Sequence, residues 1–306
     1  MSALPCASTR VDTQALGRAA IVSLYDELAL APKPGLVSFV DNGSHADMHA
    51  GTLLRSLFAL RRYFPAIAAA GAADADFAAL QQLGIAAEAR MLAATGGVNT
   101  HRGAVFTLGM LCAAAGRQLA HGAPMSPAAL RAKLLQRWGD ALDQLAHRPR
   151  LSHGRNAARQ YGLRPAAAEA ALGFPALFDV ALPVLRRARA LGPRLARLQT
   201  LFELMARLDD TNLAHRGGLE GLRWAQRQAR DFLAAGGAAR PDAIDHAQSL
   251  HAAFVARRLS PGGAADLLAA CCWLDRVCGD AAPTLTAFAA PRGDASAAPG
   301  GRAPPT

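Results

Sequence analysis

The chain has 306 residues, 52 % of them apolar and 18 % charged, with a formal net charge of +10. That balance excludes a disordered chain and leaves length for one large core or two tightly joined ones. The positive charge is nearly all arginine, with lysine only at Lys33 and Lys133, and no arginine block is interleaved with aromatics, so small polyphosphates rank ahead of nucleic acid as ligands.

Alanine and leucine dominate while β-formers are scarce, which favours helix over sheet. Residues 1–11 read as a flexible arm, and 281–306, rich in Ala, Pro and Gly, as a disordered tail. Between them, 12–280 reads as a single all-helical catalytic domain: an all-α, multi-helix globular bundle with no significant sheet. The first helix, 13–30, stops before Pro32. A loop spans 31–42. Ser44 then starts a helix with Asp47 as its capping-box partner, and Leu53, Leu57, Leu60 and Phe64 form its apolar stripe. Residues 77–94 carry Leu80, Leu83, Ala87 and Met91 at helical spacing. An apolar helix follows over 104–115, and 130–145 carries Leu134, Trp138 and Leu142. Residues 174–191 form a helix kinked at Pro183. The next, 195–213, carries Leu198, Leu201, Met205 and Leu208, with Gly217 as its C-cap. Helices over 219–235, 245–259 and 264–277 complete the set, Ser260 capping the last with Pro261 at its first position. No alternating strand pattern competes.

Cys6, Cys112, Cys271, Cys272 and Cys278 form no Cys-x-x-Cys pair, and reduced, buried thiols are expected. No secretory signal is legible and no apolar run reaches membrane-spanning length. A cytoplasmic enzyme with neither membrane nor nucleic acid as partner is the expected class.

Polar residues break the apolar pattern in several places. In Gly96-Gly97-Val98-Asn99-Thr100-His101-Arg102-Gly103, the glycines allow close backbone approach to a ligand. Asn99 or Thr100 can cap the helix that follows, and its first N–H groups with Arg102 make an anion site. Lys33 lies between Pro32 and Pro34, either a preset phosphate contact or an ordinary surface lysine in a turn. Asp41, His45 and Asp47 add acid, base or metal groups, Asp47 serving as cap, site or both. Around 206–218 the buried stripe turns polar, with Asn212 and His215 next in helical register and Asp209 adjoining. Burying such groups unpaired is costly. Asp209 and Asp210 are natural oxygen ligands for Mg²⁺, which also holds substrate phosphates; the ordinary alternative is a capped helix end with solvated aspartates. Ser260-Pro261-Gly262-Gly263 is a further glycine-rich start with Asp266 inside it. Ser152-His153-Gly154 reads as a turn. The phosphate loop, the dinucleotide fingerprint and the nucleophile elbow are all absent.

These stretches together resemble the triphosphoribosyl-dephospho-CoA synthases. The resemblance is carried by Pro32-Lys33-Pro34-Gly35-Leu36-Val37, Gly43-Ser44-His45-Ala46-Asp47-Met48, and Ala94-Thr95 followed by the run Gly96 to Gly103. Asp209-Asp210-Thr211-Asn212 with His215-Arg216-Gly217-Gly218, and Ser260 to Asp266, complete it. It extends in order from about residue 20 to 278. It implies an all-helical pentosyltransferase that joins ATP to 3′-dephospho-CoA. The 2′-hydroxyl of dephospho-CoA attacks C1 of the ATP ribose, adenine leaves, and the triphosphate stays on the transferred sugar. The product is the precursor of an acyl-carrier prosthetic group, which a separate carrier-protein transferase attaches. The extended Asp-Asn-Gly-Ser-His loop points to malonate decarboxylase, with citrate lyase as the alternative. A helical, Mg²⁺-dependent ADP-ribosyl hydrolase-like enzyme is the rival.

The chemistry implies an oxocarbenium-like transition state stabilised by carboxylates, with a base for the hydroxyl and an acid for adenine. Asp209 and Asp210 are candidate metal ligands or oxocarbenium stabilisers. His101 and His215 are candidate acid–base groups, and Asp47 or Asp266 the candidate base. Mg²⁺, Lys33, Arg102 and helix N–H groups would hold the triphosphate, with Ser44, His45, Gly96, Gly97, Asn99, Thr100, Asn212, Arg216, Gly262 and Gly263 as further binding positions.

Overall fold

A computed structural model describes residues 12–148 and 153–279. The arm, the tail, Cys6 and Ser152 lie outside the described residues. The helices are α1 (Thr13–Ala29), α2 (Ala50–Leu60), α3 (Tyr63–Ala72), α4 (Phe77–Thr95), α5 (Arg102–Ala120), α6 (Pro127–His147), α7 (His153–Tyr161), α8 (Ala166–Ala171), α9 (Leu182–Arg187), α10 (Pro193–Arg207), α11 (Thr211–Ala234), α12 (Ala243–Ala256) and α13 (Gly262–Val277). Among the described residues there is no strand.

Helix α5 is the centre of the bundle. Its residues from Thr107 to Gly116 are buried without interruption. It is long and apolar enough to cross a membrane by length and composition, contrary to the sequence reading, but most of it lies inside the core. Helix α3 packs on it almost backbone to backbone: a Cβ on Gly71 would stand 2.0 Å from the Ala113 carbonyl oxygen, and one on Gly116 would stand 1.9 Å from that of Ala68. Helices α1 and α13 pair beside it, with the Trp273 indole N–H donating to the Leu16 carbonyl at 3.1 Å. Cys112, Cys271, Cys272 and Cys278 are buried free thiols.

Several expected elements are revised. Ser44 does not start a helix; α2 begins at Ala50 behind an extended His49. The Ser44 hydroxyl instead donates to the Leu259 carbonyl at 2.6 Å, so a tertiary partner outweighs the local capping box. The stripe Leu53, Leu57, Leu60, Phe64 is buried but divided between α2 and α3. Pro65, in the first turn of α3, has no N–H to continue α2. Before Pro183 the chain forms a π-turn over Ala176–Ala181, the Leu182 N–H reaching back to Leu177, and a 3₁₀ turn, Ala188–Leu191, follows α9. Helix α10 ends at Arg207 with Leu208 extended, so 195–213 is not one helix, and the non-helical glycine downstream is Gly218, φ 64°.

Candidate active site

Lys33 is among the most deeply buried large side chains, 1 % exposed. Its Nζ donates to the Glu27 carbonyl at 2.6 Å and lies 2.5 Å from Glu27 Oε1. The lysine is therefore neither a surface residue nor free for phosphate as it stands. Burial pulls its pKa down and Glu27 opposes that. His251 from α12 anchors the same loop, its Nδ1 2.8 Å from the Lys33 carbonyl and its Nε2 3.0 Å from Asp41.

The turn between α4 and α5 is closed by Gly96 and Gly97, φ 68° and 88°. Nothing lies within 4 Å of a Cβ built on either glycine, so positive φ is their evident role. Asn99 Oδ1 accepts the Arg102 N–H at 3.2 Å, while the Arg102 guanidinium pairs with Glu88 at 3.0 Å. His101 is buried. Its N–H donates to Met91 Sδ and its Nδ1 stands 2.7 Å from Ser56 Oγ. His101 Nε2 and Thr100 Oγ1 are buried with no hydrogen-bond partner. Burial, with Lys33 adding to it, pushes the His101 pKa down to about 4.

The helix starts expected to hold substrate anions hold the protein's own carboxylates. Asp210 Oδ1 accepts the N–H groups of Asn212 and Leu213 at the start of α11. Its Oδ2 accepts the Ala264 N–H at the start of α13, at 3.0 Å. Ser260 thus does not cap α13, and Pro261 occupies its N-cap position. Asp266 lies against the start of α5, where the Ala104 N–H meets its carboxyl. A Cβ on Gly103 would stand 1.9 Å from Asp266 Oδ2. Burial raises the pKa of Asp210, offset by its N–H donors. Burial raises that of Asp266 well above the carboxylate range, with the charges of Glu27 and Asp210 adding to it.

A second layer covers this centre. His45 Nε2 lies 2.9 Å from Ser260 Oγ and its Nδ1 3.0 Å from Arg216. Arg216 also donates to the Ser44 and Arg258 carbonyls. Burial and Arg216 push the His45 pKa down to about 4. Asp47 is exposed, 3.6 Å from His45. Gly262 packs against the exposed Asn212, and Gly263 against the Asp210 carboxylate.

Two candidates stand apart. Asp209 accepts the Arg164 N–H at 3.3 Å and lines a separate cleft of about 260 Å³ with Glu169, Asp179 and Arg207. His215 is exposed and lines a smaller cavity beside Tyr161 of α7. The break after Arg207 puts neither Asn212 nor His215 on the buried face of α10. In this structure the Asp209 and Asp210 carboxylates meet different partners, the Arg164 N–H for the first and the starts of α11 and α13 for the second. Among the described residues, no cluster of three His, Cys, Asp or Glu side chains could hold a metal ion.

Glu27 and Ser56 escaped the sequence reading. Each sits on a helix's buried stripe, Glu27 three residues after Leu24 and Ser56 three after Leu53. A polar residue in that register is the signal that marks them.

Buried acids, a buried cation and an imidazole with one unmatched nitrogen, coupled electrostatically across distant segments, make a candidate site in an all-helical bundle. The profile of the family described as ATP:dephospho-CoA triphosphoribosyl transferase (CitG) matches residues 13–283. A probable 2-(5''-triphosphoribosyl)-3'-dephosphocoenzyme-A synthase of Stutzerimonas stutzeri (strain A1501) is 42 % identical over 285 residues, covering 90 % of this chain and 96 % of the relative. No solved structure matches. The chain belongs to the ATP:dephospho-CoA triphosphoribosyl transferase family, as its motifs imply, and is a transferase.

Proposed function

We propose that the enzyme transfers the triphosphoribosyl unit of ATP to the 2′-hydroxyl of 3′-dephospho-CoA, releasing adenine. The observation that carries the reading is the gathering of Lys33, His101, Asp210 and Asp266 from distant motif segments around one centre. Asp266, whose burial and acidic neighbours favour its protonated form, is the candidate acid that protonates adenine as the N-glycosidic bond breaks. The Asp210 carboxylate is the candidate group for favouring an oxocarbenium-like sugar. Arg102, Arg216 and His45 lie nearer the surface, placed to meet the triphosphate once their present partners yield. Mg²⁺ enters as the companion of ATP, screening the triphosphate. Asp209 and Asp210 remain its candidate ligands by chemistry.

The product is proposed to pass to a carrier-protein transferase serving malonate decarboxylase. The test is incubation of purified enzyme with ATP, Mg²⁺ and 3′-dephospho-CoA, followed by mass analysis. A dephospho-CoA derivative carrying a triphosphoribosyl group is expected, and malonate decarboxylase carrier subunit should then be loaded from it. ADP or AMP as the nucleotide product would overturn the reading. Loading confined to the citrate lyase carrier would reassign the pathway.

A further inference from the structure

Ser56 is wholly buried in α2. Among the described residues, its hydroxyl has one hydrogen-bond partner, His101 Nδ1 at 2.7 Å. Across that contact the single shared proton can sit on either atom. If it belongs to the imidazole, Nδ1–H donates to Ser56, the serine proton lacks an acceptor, and Nε2 is left as a bare buried lone pair. That arrangement leaves both groups unsatisfied. If Ser56 donates to Nδ1, the ring proton sits on Nε2 and only that N–H lacks a partner. Each buried unsatisfied group is expensive, so the second arrangement is favoured. The neutral ring it requires agrees with the low His101 pKa and with the position of His101 at the positive end of α5.

We propose that Ser56 is a positioning residue that fixes the His101 proton on Nε2, so that this ring meets the bound nucleotide as a hydrogen-bond donor and not as the base. The geometry supplies what such a role needs. Met91 Sδ holds the His101 backbone N–H, Ser56 holds one ring nitrogen, and the other ring nitrogen is buried and unmatched. An acceptor atom of the nucleotide would satisfy it. The substrate contact rests on the reading of the enzyme as a nucleotide transferase; the tautomer does not.

Long-range ¹H–¹⁵N spectra of the full-length, histidine-labelled protein test the tautomer directly. The expected spectrum shows His101 Nδ1 unprotonated and Nε2 protonated in the free enzyme. Adding ATP should shift Nε2 more than Nδ1, and separate additions of tripolyphosphate and adenosine show which part of the nucleotide is met. Ser56→Ala should spread the ring over both tautomers. It should lower kcat about ten- to a hundredfold with little change in KM, by analogy with removing the partner that orients a metal-bound histidine. His101→Gln, which keeps a side-chain N–H donor, should retain far more activity than His101→Ala. A proton found on Nδ1 in the free wild-type enzyme overturns the proposal, whatever the variants do. So does a folded His101→Gln no more active than His101→Ala. Failure of the wild type to release adenine, with the tautomer as expected, would instead overturn the reaction and leave the Ser56–His101 arrangement standing.

Discussion

The Asp210 carboxylate accepts the Ala264 N–H at 3.0 Å, joining the starts of α11 and α13 across 54 residues. Helix starts are places for a ligand's anions, yet here one acidic side chain caps two, the glycine-rich start of α13 and the start of α11. Asp210 therefore takes up, at both helix starts, the N–H groups that an anion would otherwise meet.

Asp210→Ala removes both caps. A cap is worth about 0.5–2 kcal/mol, so the variant should lose about 1–4 kcal/mol of stability in urea denaturation. Asp209→Ala, which loses one 3.3 Å contact at a cleft edge, should lose under about 1 kcal/mol. Equal losses would show that Asp210 is not the joint between these helices.

Gly103→Ala tests the contact with Asp266. In an ordinary helix this change stabilises by roughly 0.5–1 kcal/mol. Here the new methyl meets the Asp266 carboxyl, so the variant should be destabilised and should lose turnover. Thermal melting and adenine release read both effects, and a more stable, fully active variant would contradict the geometry.

Glu27→Gln should be severe, because it leaves the Lys33 ammonium buried without its counter-charge. Breaking such a pair costs about 3–5 kcal/mol. The double change Glu27→Leu with Lys33→Met should regain much of that stability without regaining activity. Denaturation and turnover of the three proteins separate a packing role from a role in catalysis.

Acid should act through His101, and also through His45, whose titration the comparison with a His101 variant cancels. The His101 pKa falls from 6.5 to about 4 on folding, so between those values the unfolded chain binds the extra proton. The stability tied to the neutral ring is complete above pH 6.5 and is lost as the pH falls towards 4, about 3 kcal/mol in all. Comparison with His101→Gln cancels the opposing titration of Asp210 and Asp266. The wild type should lose its advantage over that variant across this window, and parallel curves from pH 7 to pH 4 would contradict the burial.

The all-helical class and most helix positions were legible because Ala and Leu dominate and the apolar stripes of α4, α6 and α10 repeat at helical spacing. The motif stretches that meet in the site were legible as interruptions of those stripes. Their partners were not. Ser44 reads as a cap locally, but its acceptor is a carbonyl 215 residues away. Asp209 and Asp210 are neighbours in sequence, yet the extended backbone at Leu208 and the cap at Asp210 send their carboxylates to different places. Lys33 reads as a phosphate contact or a surface residue because its partner, Glu27, lies on a helix whose polar faces look ordinary until packing shows which one is buried.

The most direct test of the account is free adenine measured against triphosphoribosyl adduct, with 3′-dephospho-CoA present or withheld, for the wild type and Asp266→Asn. The account predicts equal amounts of the two products, no adenine without dephospho-CoA, and turnover about 10²–10⁴-fold lower in a folded Asp266→Asn, the range for loss of a general acid. Adenine released without dephospho-CoA would make water the acceptor, and full turnover by Asp266→Asn would remove that residue from the chemistry; either result would contradict the account.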